Sequence, residues 1–181
     1  MKDLLKLALV PTAICVVCAA LLAYVYGVTK EPIAQGAEKR ELAAAAALLS
    51  TDSAERVSSP DGAVTGFVVR AESGEVSGVA VQGFSPHGYG GNLRLLVAFD
   101  AGGKVTEYRV LELNETPGLG SKIDKPDMHE RIRLAPQGAG WRVTKDGGQI
   151  EAVTAATISS RALMEALGDA EARRAALLST L

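Results

Sequence analysis

The chain is poor in the residue types that usually build a reactive centre. It has two cysteines and two histidines in 181 residues. Both cysteines, Cys15 and Cys18, fall inside one apolar run near the start. Three apart on a helix facing lipid, they are unsuited to a disulfide or a metal, and Val17 before Cys18 argues against lipoprotein processing. The rest of the chain has no cysteine and can work in an oxidising compartment without disulfide chemistry. Aromatic residues make up only 4%, so a core has to be assembled from Val, Leu, Ile and Ala. The formal net charge is −2 and no basic cluster is interleaved with aromatics, which speaks against a nucleic-acid partner.

Catalytic constellations are missing too. His87 and His129 have no carboxylate or cysteine at ligand spacing, so each is expected as a surface or loop residue and no metal site is expected. There is no G-x-S-x-G elbow, and Ser159 and Ser160 have no histidine near them in sequence. Gly88 to Gly91 precedes a strand instead of joining strand to helix, so it is no dinucleotide fingerprint. The acidic residues are scattered, with no pair singled out for acid–base work. An autonomous hydrolase or dehydrogenase is not expected.

What is present begins with an uncharged run over positions 7–29. At 1.5 Å per residue it is long enough to cross a hydrocarbon layer of about 30 Å. Tyr24 and Tyr26 near its end suit a membrane interface. A cleaved signal peptide has a shorter apolar core, so a retained anchor is expected. Lys2 and Lys6 before the span favour a cytoplasmic N-terminus and a body outside the cytoplasm. The expected organisation is a cytoplasmic N-terminus at 1–6, a transmembrane helix at 7–29, a helical stalk or linker at 30–60 and a folded domain at 61–181.

Within the linker, Glu31-Pro32 reads as a short joint, 33–49 as an alanine-rich helix and 50–60 as a polar connector. Strand-like runs follow at 63–69, 76–84, 93–99 and 105–113. Leu93, Leu95, Val97 and Phe99 alternate, and Asp100-Ala101-Gly102-Gly103 is a hairpin pattern, so the last two strands should be antiparallel neighbours. Residues 127–134 suit a helical turn and 141–144 a short strand. From Ser159 a helical period places Leu163, Leu167, Leu177 and Leu178 among alanines. This order predicts an α+β domain with helices packed on an antiparallel sheet.

Three segments invite a ligand. His87-Gly88-Tyr89-Gly90-Gly91 and Asn114-Glu115-Thr116-Pro117-Gly118-Leu119-Gly120-Ser121-Lys122 permit positive φ and close approach of a flat ring; each also reads as a plain turn. Glu151-Ala152-Val153-Thr154-Ala155-Ala156-Thr157-Ile158-Ser159-Ser160 puts small residues and hydroxyls where a helix starts. Unpaired N–H groups and the helix dipole there suit a phosphate. An ordinary N-capped helix fits the same residues.

Taken in order, Gly88-Tyr89-Gly90-Gly91, Glu115-Thr116-Pro117-Gly118-Leu119-Gly120, Trp141 with Asp146-Gly147-Gly148, and Thr154-Ala155-Ala156-Thr157-Ile158-Ser159 resemble the motifs of a known family. It is the membrane-anchored FMN-binding domain found in the Rnf electron-transport complex, as its G component, and in the Na+-translocating NADH:quinone reductase, as its C component. The resemblance covers about 76–167 and extends to the anchor. It implies FMN joined through its phosphate to Thr157 by a phosphoester. Thr154, Ala155, Ala156, Ile158 and Ser159 would surround the linkage. Glu115, Thr116, Pro117, Gly118, Leu119, Gly120 and Tyr89 would be flavin neighbours, and Lys122 a candidate to offset the phosphate charge. The family pattern has Asp, Ser and Gly where this chain has Glu151, Thr154 and Ala155, so Ala155 adds a Cβ where bare backbone is expected.

The function implied is an electron-relay subunit of a ferredoxin- and NAD-linked, Rnf-type ion-translocating oxidoreductase, not catalytic alone. Its body would lie on the periplasmic side of a bacterial inner membrane. Other membrane subunits would be its partners, and a flavin transferase would mature it. The short passage from anchor to domain favours the Rnf type over the quinone-reductase type. A reading from another class is a non-flavin, membrane-anchored interaction domain in which Thr157 only caps a helix.

Overall fold

A computed structural model describes residues 2–51, 54–59, 62, 64–136 and 140–179. The chain divides into two units, Met1–Arg40 and Glu41–Leu181. Helix α1 (Lys2–Leu48) makes up the first unit as far as Arg40, where its described side chains are almost all exposed, and its last two turns belong to the second. Leu9, Ile14, Leu22 and Tyr24 all point to solvent. A helix that is apolar all round and covered by nothing of its own chain suits lipid. Its most apolar stretch has a mean hydropathy of 2.2 and is long enough to cross a membrane. The joint expected at Glu31-Pro32 is absent, because α1 runs unbroken through Pro11 and Pro32. An interior proline costs a helix roughly 3 kcal/mol, and the good helix formers on either side, alanine and leucine above all, offset that.

The second unit holds a five-stranded antiparallel meander: β1 (Glu55–Ser58), β2 (Thr65–Arg70), β3 (Val76–Gly88), β4 (Gly91–Asp100) and β5 (Val105–Leu113). The strands neighbour one another in chain order. Two helices follow, α2 (Pro126–Arg133) and α3 (Thr157–Leu178). β5 keeps its expected bounds, and β3 runs four residues further than 76–84. β1 lies in the stretch expected as a polar connector. It is an edge strand held by backbone pairing to β2 and mostly wet, so it has no apolar alternation to read. Ala63, expected in a strand, falls outside the described residues, as do Asp52, Ser53 and Pro60 of the connector. The short strand expected at 141–144 is only an isolated bridge from Val143 to Ile150, with Thr144 already in a 3₁₀ turn.

The sheet is buried on both faces. Leu93, Leu95, Val97 and Phe99 of β4 face a large cluster that includes Leu163, Leu167 and Leu177 of α3 and Met128 and Ile132 of α2. The alternate residues Leu96 and Ala98 join Phe67 and Ala80 against Ala44 and Ala45 at the end of α1. The period-2 alternation thus distributes β4 between two cores. α3 lies so close on β3 that a Cβ on Gly83 would stand 2.1 Å from the Ala166 carbonyl oxygen. That contact sets where the first turn of α3 arrives.

Candidate functional site

The site is built where three segments meet the start of α3. First, the β3–β4 hairpin closes through Tyr89 and Gly90, after an irregularity between Ser85 and Gly88. Pro86 sits within it, where a residue without an N–H is tolerated. Second, Thr116-Pro117-Gly118-Leu119 forms a turn with the Leu119 N–H donating to the Thr116 carbonyl at 3.2 Å. Proline second and Gly118 third at φ 77° are the residues a type II turn needs. Third, the Ala156 N–H donates to the Val153 carbonyl at 3.0 Å, which turns the chain just before the helix. Ala155 in that turn has φ 63°, a left-handed conformation that disfavours a Cβ.

Glu115 ties these segments together. One carboxylate oxygen accepts the Tyr89 N–H at 2.8 Å, and the other accepts the Ser159 hydroxyl at 2.7 Å. Gly120 lies against it, since a Cβ there would be 2.2 Å from Glu115 Oε2 and 2.6 Å from Ser159 Oγ. Gly90 is pressed on the backbone of Asn114 in the same way, at 1.4 Å. These glycines make room for the protein's own groups. Ser160, fully buried, accepts the Val153 N–H at 2.9 Å and donates to the Ala156 carbonyl at 2.9 Å.

Between the three segments lies a cleft of about 520 Å³. Its lining includes Tyr89, Thr116, Leu119, Ala155, Thr157 and Ile158, together with Glu115, Gly120, Ala156 and Ser159. Tyr89 is 70% exposed, Ile158 49% and Leu119 43%, so large apolar side chains stand open around it. The helix N-cap is Ala156, with no side-chain cap. Thr157 is the first helical residue and half-buried, and its hydroxyl accepts from Lys145 Nζ at 3.3 Å. Lys145 belongs to a 3₁₀ turn, Thr144–Asp146, which Arg161 of α3 holds through Asp146 at 2.6 and 2.7 Å. The Arg161 hydrogen bond keeps the Asp146 carboxyl below its usual range, and Asp146 in turn raises Arg161.

Comparison with known proteins gives the family. Residues 88–171 match the family model described as an FMN-binding domain. The G subunit of the ion-translocating oxidoreductase complex from Cereibacter sphaeroides is 35% identical over 162 residues, covering 82% of this chain and 74% of that protein. The chain belongs to this G-subunit family. The same-named protein of Aliivibrio fischeri is 39% identical over 102 residues, 52% of this chain and 48% of that one. That of Pectobacterium atrosepticum is 42% identical over 107 residues, 56% and 51% respectively. The chain thus spans about half the length of several of the curated relatives it matches. A crystal structure of NqrC from Shewanella oneidensis is 23% identical with a TM-score of 0.45, over 57% of this chain and 53% of that one.

Of the residues that the family motifs single out, Thr157, Ala155, Ala156, Ile158 and Ser159 gather at the cleft with Glu115, Thr116, Leu119, Gly120 and Tyr89. Pro117 and Gly118 do not line it; they form the exposed tip of the turn. Thr154 and Lys122 line a separate cleft of about 420 Å³ with Lys125 and Arg131. The cation at Thr157 is Lys145, which the motifs do not single out although it stands directly before Asp146-Gly147-Gly148. Ser159 and Ser160 spend their hydroxyls on internal bonds. His87 is exposed, as expected, whereas His129 is largely covered, and both have carboxylate partners. His87 bonds Glu165 at 2.9 Å, and Glu165, held first by the Ser85 hydroxyl and then by His87, sits below the usual carboxyl range. His129 stacks on Tyr108 at 4.0 Å and bonds Glu107 and Asp124 at 2.5 and 3.3 Å. The His87–Glu165 and His129–Glu107 bonds span 78 and 22 positions, which spacing rules cannot see.

Proposed function

We propose that this chain is an electron-relay subunit of a membrane-bound ion-translocating oxidoreductase, carrying FMN through a phosphoester to Thr157. Support comes first from membership of the G-subunit family and from the FMN-binding domain over 88–171. The single observation that carries the site is the Thr157 hydroxyl, set at an uncapped helix start in the cleft with an ammonium group against it. N–H groups of a first helical turn and a lysine together suit a phosphate. Open apolar side chains of Tyr89, Leu119 and Ile158 suit a flat ring system lying over them. The residues present therefore fit the group. When bound, FMN supplies one- and two-electron chemistry at its isoalloxazine ring, which attachment through the phosphate leaves free.

The polar partner of the Thr157 hydroxyl is a cation, and the Glu115 carboxylate is occupied by Tyr89 and Ser159. A base to activate the threonine is thus absent among the described residues around it, which favours attachment by a separate flavin transferase. Covalent attachment makes occupancy independent of free FMN, an advantage for a domain outside the cytoplasm, where a reversible site fills only as ligand over Kd. α1 would hold the domain at a bacterial inner membrane with its body on the periplasmic side, next to the other subunits of a ferredoxin- and NAD-linked complex. Co-expression with a flavin transferase, followed by a denaturing gel under ultraviolet light, tests the linkage. A fluorescent band lost in Thr157→Ala is expected; no band, or a band that persists in the variant, overturns it.

A further inference from the structure

We infer that Lys145 is the charge partner of the phosphoryl group on Thr157, delivered by a turn whose own ion pair with α3 keeps that lysine in register with the helix start. The inference rests on the reading of Thr157 as the flavin-bearing residue. Four observations lead to it. Lys145 Nζ donates to Thr157 Oγ1 at 3.3 Å across 12 positions of sequence. In a threonine phosphoester the phosphorus is bonded to that same oxygen, so the charged oxygens would lie two covalent bonds beyond the atom the ammonium already faces.

The turn carrying Lys145 is fastened at three points. Val143 pairs with Ile150, and the Thr144 N–H donates to the Ile150 carbonyl at 2.9 Å. Gly148 closes on the Arg142 carbonyl so tightly that a Cβ would stand 2.0 Å from its oxygen. Asp146 grips Arg161, one turn into α3, through two hydrogen bonds. This last pair also sorts the charges. Arg161 is committed to Asp146, so the cation left facing Thr157 is Lys145. A lysine suits the place, because its compact ammonium carries three donors and one bond to Oγ1 leaves two for phosphoryl oxygens. On the cleft side, the Glu115 carboxylate already accepts from the Tyr89 N–H and the Ser159 hydroxyl.

The test compares the full chain in detergent, with and without attached flavin, by amine acylation and peptide mass mapping. Labelling of Lys145 is expected to fall at least about fivefold on flavin attachment, while Lys104 stays unchanged. In parallel, the rise in Tm between unloaded and loaded protein should shrink by about 2 °C or more in Lys145→Met and be kept in Lys145→Arg. A merely structural lysine would shift both forms equally and leave that difference intact. Flavin mapped to Thr157 with Lys145 equally reactive in both forms, or an unchanged difference in Lys145→Met, overturns the role of Lys145 alone. Flavin mapped to another residue overturns the Thr157 reading and this inference with it.

Discussion

From Ala162 to Leu177, α3 presents buried alanines and leucines to the sheet, whereas its first turn carries two buried serines, a half-buried threonine and no side-chain cap. Dispersion and water exclusion hold the long part, through Leu163, Leu167 and Leu177 in one buried cluster with the sheet. Directional bonds hold the short part, through Glu115 to Ser159, Val153 to Ser160, and Lys145 to Thr157. A capping side chain would satisfy the first-turn N–H groups and add about 1 kcal/mol. This helix has no such side chain, and its first residues, Thr157, Ile158 and Ser159, line the cleft. The packed half therefore has to supply the stability that the first turn lacks.

The largest effect should come from breaking the packed half. In Gly83→Ala the new Cβ meets the Ala166 carbonyl oxygen at 2.1 Å and Ala170 Cβ at 3.0 Å. Neither is the tip of a flexible side chain, so the helix has to lift. A loss of about 3 kcal/mol is expected by urea denaturation. The first turn should lose its register with it, seen as weaker flavin incorporation. A stability change under about 0.5 kcal/mol would mean that α3 is not seated by this contact.

The packed half was legible in sequence and the polar half was not, for a physical reason. Leu93, Leu95, Val97 and Phe99 declare a strand by period 2, and Leu163 with Leu167 a helix, because burial imposes a repeat on neighbours along the chain. β5 at 105–113 followed from the same rule. The motifs placed Thr157 at a helix start because small residues and hydroxyls cluster there. Glu115 and Lys145 carry no repeat. Their roles come from contacts across 44 and 12 positions, set by tertiary docking. Glu115 lines the cleft, as the motifs imply, and what they do not show is that its two oxygens also tie Tyr89 and Ser159 together. β1 escaped because an exposed edge strand is held by backbone bonds that any side chain permits.

A middle-sized effect should come from Glu115→Gln. The amide keeps one oxygen for the Tyr89 N–H and turns an NH2 towards Ser159, whose hydroxyl has to rotate to accept. The loss of a charged acceptor should cost about 1 to 2 kcal/mol. It should fall on the polar half alone, so near-ultraviolet circular dichroism from Trp141, packed beside the main core, should be unchanged. A Trp141 signal lost together with stability would show that the two halves are not separable.

The smallest effect, and the one of opposite sign, concerns Ala155. Its φ of 63° places an alanine in left-handed backbone, at a cost of about 1 kcal/mol or a little more. Glycine adopts the same conformation freely but loses about 0.4 to 1 kcal/mol more to unfolded-chain entropy. The two terms leave a net gain of about 0.5 kcal/mol for Ala155→Gly, readable as a small rise in urea midpoint with an unchanged slope. Ala155 is exposed, so its methyl group has little packing to lose. A lower midpoint would mean that the alanine stiffens the approach to Thr157 by more than its strain costs. In that case the chain keeps Ala155 for rigidity at the helix start.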